Sequence, residues 1–141
     1  MKPYLLRMGL ACLALQVGAL GATPTPGALL IAHADVPADR IATAVLKNIY
    51  AGRTMYWDGG QRVVIAVLPD LTDSALKELS GMDASQFRTF WQRLVFSGRG
   101  QQPLKANDVS SLVALVAATK GAVALVPANA VLHGVKIIEV Q

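Results

Sequence analysis

The chain has 141 residues, with 13 Lys and Arg against 9 Asp and Glu, a net charge of +4, and one cysteine. Its cations are scattered, with no basic stripe interleaved with aromatics, which argues against nucleic-acid binding. The lone Cys12 leaves no partner for an intrachain disulfide.

Lys2 and Arg7 form a short basic region, and Met8 to Leu20 is an apolar run ending in the small residues Ala19-Leu20-Gly21. This is the pattern of a secretory signal peptide over residues 1–22, with cleavage after Gly21 or Ala22. The run is short for a membrane span and is followed by turn formers, Thr23-Pro24-Thr25-Pro26-Gly27. Cys12 comes too early in the run for a lipoprotein signal. Cleavage would remove Lys2, Arg7 and Cys12, leaving 11 cations against 9 acids, a net charge of +2. A periplasmic protein with no membrane span is therefore expected, with a Pro-rich linker at 23–27 and a single domain over 28–141.

The domain opens on Ala28-Leu29-Leu30-Ile31-Ala32, a continuous apolar run that predicts a buried strand. Val36-Pro37-Ala38-Asp39 has the chemistry of a helix start, and Ile41, Val45, Leu46 and Ile49 recur at helical spacing as far as Tyr50. Gly52 supplies the left-handed residue of a helix end. An aromatic loop with Tyr56 and Trp57 follows, and Asp58-Gly59-Gly60 turns the chain into a strand over Arg62–Val67. Arg53 beside Trp57 suggests a cation–π contact that staples the loop to the helix end.

Leu68 to Leu71 is a loop. Thr72 or Asp73 caps a short helix through Leu79, and Gly81 ends it. Asp83 caps the next helix, whose Phe87, Phe90, Trp91 and Leu94 share one face. Phe96 to Pro103 is polar and irregular. Asn107 or Asp108 caps a helix through Ala118, with Lys120 near its negative end and Gly121 as terminator. Ala122–Val126 and Val135–Val140 are two further strands. Strands alternating with helices predict an α/β fold, a small three-layer domain around a mostly buried mixed sheet of about four strands.

Several motifs, taken in order, resemble the phosphate-type, class II periplasmic substrate-binding proteins of ABC transporters. These are Ile49-Tyr50-x-Gly52-Arg53 with Trp57, Val64–Val67 leading to Asp70, Trp91 before Gly98-Arg99-Gly100, and Val116 to Pro127. The last is similar to the family's helix-Pro-Gly-Ala-Ile-Gly-Tyr-Val element, with Lys120 in place of Pro and Ala124-Leu125 in place of Gly-Tyr. Full-length members close two lobes on their ligand, whereas this chain is about the size of one and matches the second. The resemblance thus implies a single-lobe relative.

It also implies where an anion would bind. The family's Arg-x-Asp-Gly-Ser-Gly-Thr loop corresponds to Leu68-Pro69-Asp70-Leu71-Thr72-Asp73-Ser74. Asp70, Thr72 and Ser74 match in type, but Leu68 replaces the Arg, and Leu71 and Asp73 replace both glycines. Side chains there obstruct the close backbone approach that glycine permits, and Asp73 places a carboxylate where the anion would sit. Two readings stand: an ordinary helix cap by Thr72 and Asp73, or an anion site of Asp70, Thr72 and Ser74. Arg99, between two glycines, is either a further anion ligand or a solvated loop residue.

His33 and His133 lack neighbouring acids at ligand spacing, and Ser110-Ser111 has no base or nucleophile elbow. No metal site, cofactor or catalysis is expected. The leading expectation is a non-enzymatic solute-binding-like protein, with binding of phosphate or another oxyanion weakened or lost. The alternative is a single-lobe interaction module for an ABC permease, a sensor protein or a second copy of itself.

Overall fold

The computed structural model describes residues 28–68 and 73–141. The signal peptide (1–22) and linker (23–27) expected from the sequence lie outside them. In chain order the elements are β1 (Ala28–His33), β2 (Arg40–Ile41), α1 (Thr43–Tyr50), β3 (Val64–Val67), α2 (Asp73–Ser80), α3 (Ala84–Phe96), β4 (Leu104–Lys105), α4 (Val109–Ala118), β5 (Ala122–Pro127) and β6 (Val135–Val140). The strands form one mixed sheet in the order β2-β6-β1-β5-β3-β4. β1 pairs antiparallel with β5 and β6, while β3 runs parallel to β5 and β4, and β2 parallel to β6.

The apolar runs read from the sequence are the central strands, and their side chains alternate between two cores. Leu30 and Ala32 of β1, Ile65 of β3, and Val123 and Leu125 of β5 pack on the face that carries α1, α2 and α3. Ile31, Val64, Ala66, Ala124 and Val126 point to the other face, which α4 covers with Leu112, Val113 and Val116. A strand covered on both faces has no position for a polar side chain, so period-two alternation vanishes from its sequence. The result is the expected three-layer α/β sandwich.

The structure departs from expectation at the sheet's two edges. The first helix starts at Thr43 rather than at Val36-Pro37. Residues 39–41 are instead extended along β6, where Glu139 N–H donates to the Asp39 carbonyl and Gln141 N–H to that of Ile41. These cross-strand bonds satisfy the backbone and override the helix-start chemistry. Leu104-Lys105, inside the stretch expected to be irregular, pairs with β3 in the register Val67↔Lys105. Six strands thus replace the expected four, because the two additional ones have only two residues each.

The caps follow local rules. Asp83 accepts from Gln86 N–H while the Gln86 side chain accepts from Asp83 N–H, forming a capping box. At the end of α1, Gly52 N–H donates to the Ile49 carbonyl and Arg53 N–H to that of Asn48. At the end of α3, Gly98 N–H donates to Val95 and Arg99 N–H to Leu94. Both are Schellman closures with a left-handed glycine (φ +68° and +72°).

Gly121 lies where the aromatic loop, β3 and β5 meet. Its carbonyl accepts from Val64 N–H and from the buried Trp57 Nε1, each at 3.0 Å. Its φ is +78°, and a Cβ there would run into the Arg62 carbonyl oxygen. Gly121→Ala should cost about 3 kcal/mol or more, from left-handed strain plus overpacking. Gly59→Ala, also at positive φ but facing open space, should cost only about 1–2 kcal/mol. Urea unfolding with a common m value checks the difference, and equal losses would remove the role assigned to the Arg62 contact.

Candidate functional site

β3 ends at Val67, and the chain returns in α2 and α3 on one face of the sheet. Ligands of open α/β sheets bind at the carboxyl ends of such strands. Of the residues expected to bind an anion here, Asp70 and Thr72 lie outside the described residues, as does the side chain of Ser74, which falls in the first turn of α2.

Leu68 is described and is decisive for its position. It is 3 % exposed and belongs to the core under α4. Where the resemblance has an arginine, this chain has a core residue. Arg99 sits elsewhere. Its N–H closes the C-terminus of α3 and its side chain is exposed. The opposite, N-terminal part of α3 is the part next to Val67 and Leu68. From Ala84 to Phe96 the helix spans about 18 Å, and Arg99 follows the end opposite the one that borders Leu68. Beyond the helix C-terminus, its cation is favourable to the helix dipole.

A cavity of about 290 Å³ opens beside the end of β3. Leu68, Leu76, Phe87 and Trp91 form its floor, and the exposed Arg88, Gln102 and Lys105 stand around it. The floor is built by packing, since Trp91 Nε1 donates to the Tyr50 carbonyl (3.3 Å) and the Phe87 ring lies between Trp91 and Tyr50. Burial pushes the Tyr50 phenol well above its usual range, so it stays neutral. Sequence periodicity found Phe87 and Trp91 but had no signal for Arg88 or Lys105. The first is one of several cations on an amphipathic helix, and the second reaches the cavity only because β4 pairs with β3.

The other sequence candidates resolve structurally. The cation–π contact of the aromatic loop is Arg62 over Tyr56, at 5.6 Å from the ring centroid, rather than Arg53 with Trp57. The Trp57 indole is buried and committed to Gly121, while Arg53 is exposed at the helix end. His33 Nδ1 accepts from Asp35 N–H at 3.0 Å, a local turn contact. Among the described residues no three His, Cys, Asp or Glu side chains cluster as a metal site would require. Asp108 caps α4 by accepting from Ser111 N–H at 2.7 Å.

No protein-family model and no curated protein sequence matches the chain. Solved structures do. A putative phosphate ABC transporter substrate-binding protein from Clostridium perfringens, determined with bound phosphate, superposes with a TM-score of 0.62 at 20 % identity, over 81 % of this chain and 44 % of that one. An ABC-type phosphate transport receptor from Vibrio cholerae gives 0.55 at 19 % identity, over 81 % and 46 %. PstS from Borrelia burgdorferi gives 0.54 at 10 % identity, over 82 % and 47 %. The chain has the fold of one lobe of a phosphate-type binding protein. It spans less than half the length of these receptors, and at such identities the likeness is one of fold. No helix of the described residues is long and apolar enough to cross a membrane.

The Asp108 cap makes a pH-dependent prediction. The hydrogen bond from Ser111 N–H, with a second from the Ser111 side chain, holds its carboxyl below the ordinary aspartate value of 3.8. A folded pKa below the unfolded one stabilises the fold above the unfolded value, and the contribution is lost as pH falls through the folded one. Asp108→Ala should therefore lower Tm at neutral pH, and its gap to the natural protein should close below about pH 4. A gap unchanged down to strongly acidic pH would show that the charged cap is not its source.

Proposed function

We propose that this protein is an exported, non-enzymatic solute-binding-type domain with the fold of one lobe, periplasmic in a Gram-negative cell. The observation that carries this reading is the shared fold over four-fifths of the chain with less than half of each phosphate receptor. The Clostridium perfringens protein holds phosphate and the Vibrio cholerae one is a phosphate transport receptor; in this chain, oxyanion binding by Asp70, Thr72 and Ser74 is weakened. Leu68 supplies no cation, and Leu71 and Asp73 stand in the sequence where the resemblance has the glycines that permit close backbone approach to an anion. In this reading Arg99 is not an anion ligand, because it closes the end of α3 away from Leu68.

A second reading, an interaction module for a permease, a sensor or a second copy, has one observation in its favour. Phe96 is 92 % exposed at the end of α3, between the exposed Arg93 and Arg99. An aromatic flanked by arginines is typical of contact surfaces. This surface lies at the end of α3 away from the loop after β3, so the two readings involve different parts of the molecule.

Calorimetry of the purified protein with phosphate, sulfate and molybdate tests the first reading. Dissociation constants in the millimolar range are expected, weakened further by Thr72→Ala and unchanged by Arg99→Ala. No heat and no thermal shift at millimolar anion would remove oxyanion binding. A micromolar constant would show that the lost arginine and glycines are dispensable. For the second reading, a strictly monomeric protein that crosslinks to no partner, before and after Phe96→Ala, would count against it.

A further inference from the structure

We infer that the cavity between β3, β4, α2 and α3 is a binding site for a small organic monocarboxylate with an apolar or aromatic body. The inference rests on the solute-binding reading of this face but not on oxyanion binding by the adjacent loop.

The cavity's size sets the first limit. An apolar cavity of roughly 150 Å³ admits benzene, so one of about 290 Å³ has room for a ring or short alkyl chain together with a carboxylate. The lining sets the second. Leu76, Phe87 and Trp91 are each only 2–5 % exposed, so a ligand meets them at ring edges and methyl groups, while Leu68 borders the cavity from the end of β3. The stems of Arg88 and Lys105 supply the side walls. Such a lining gains from burying hydrocarbon and penalises a compact dianion, which would lose its hydration without a full donor set.

Charge sets the third. Arg88 and Lys105 both line the cavity, and neither takes part in any ion pair among the described residues. No carboxylate is among the lining residues described. The N-terminus of α3 does not draw an anion, because the Asp83 capping box takes up the Gln86 amide and sets a carboxylate at that end. Recognition therefore falls to side chains. A guanidinium presents a planar fork matched to a carboxylate, an ammonium adds a point charge, and the Gln102 amide can donate one more hydrogen bond. An ammonium ligand would face two like charges, and a neutral apolar one would leave both cations unused.

An NMR titration of the purified protein tests this with benzoate, phenylacetate and hexanoate, using benzyl alcohol as the neutral comparator and inorganic phosphate as the compact anion. At least one carboxylate should shift the resonances of Phe87, Leu68 and the Trp91 indole with a submillimolar dissociation constant. Benzyl alcohol should bind about tenfold more weakly or worse. The double variant Arg88→Gln, Lys105→Gln changes only exposed side chains, so it should keep its Tm while losing about tenfold in carboxylate affinity. The inference is overturned if no carboxylate shifts these resonances, if benzyl alcohol binds as well, or if the double variant binds unchanged. Phosphate heat without carboxylate shifts would overturn the cavity site and leave the oxyanion reading intact. Carboxylate shifts without any phosphate response would do the reverse.

Discussion

The carbonyl of Gly121 holds the geometry on which the rest of the domain depends. It accepts from the first residue of β3 and from the Trp57 indole at once. The first bond sets β3 parallel to β5 in the register Val64↔Ala122. The second ties the loop between α1 and β3 to the same point. A single glycine therefore fixes where β3 begins, which way it runs and where the chain leaves it at Leu68. A side chain at 121 is excluded by both the left-handed φ and the Arg62 carbonyl.

From that junction the domain acquires two chemically different ends. α1, α3 and α4 all finish near the start of β3, and Arg53, Arg99 and Lys120 follow their last turns. Cations there answer the negative ends of three helix dipoles, which gives Arg99 a structural role. The other end, where β3 and β4 stop, gathers the loop after Leu68, the start of α3 and the cavity. Buried aromatics meet there with Arg88 and Lys105, two cations with no ion pair among the described residues. The receptor-like fold and the small-molecule site are thus linked through strand direction rather than through any shared ligand residue.

Leu68 shows how packing limits the chemistry a position can offer. At the end of a buried strand the side chain continues the alternation between the two cores, and leucine satisfies that demand more cheaply than arginine. Once the position belongs to the α4 core, its side chain offers no cation to a ligand. The same logic protects Trp57 and Trp91. Both are anchored by indole hydrogen bonds to backbone carbonyls, so both serve packing.

The sequence by itself determined the central strands, the four helices and most of their caps. Each rests on local chemistry: an apolar run, a helical stripe, an Asp before a helix, a glycine after it. Its ordered motifs around Gly52, Trp57 and Trp91 also pointed to the fold that the solved structures share. What only the tertiary structure decided was non-local. Two-residue edge strands exist because β6 and β3 offer them hydrogen bonds, and neither Arg40-Ile41 nor Leu104-Lys105 carries a pattern of its own. The partner of Trp57 is a carbonyl 64 residues away, beyond the reach of the spacing that suggested Arg53. The cavity has the same origin, because Arg88 and Lys105 converge only once β4 lies beside β3.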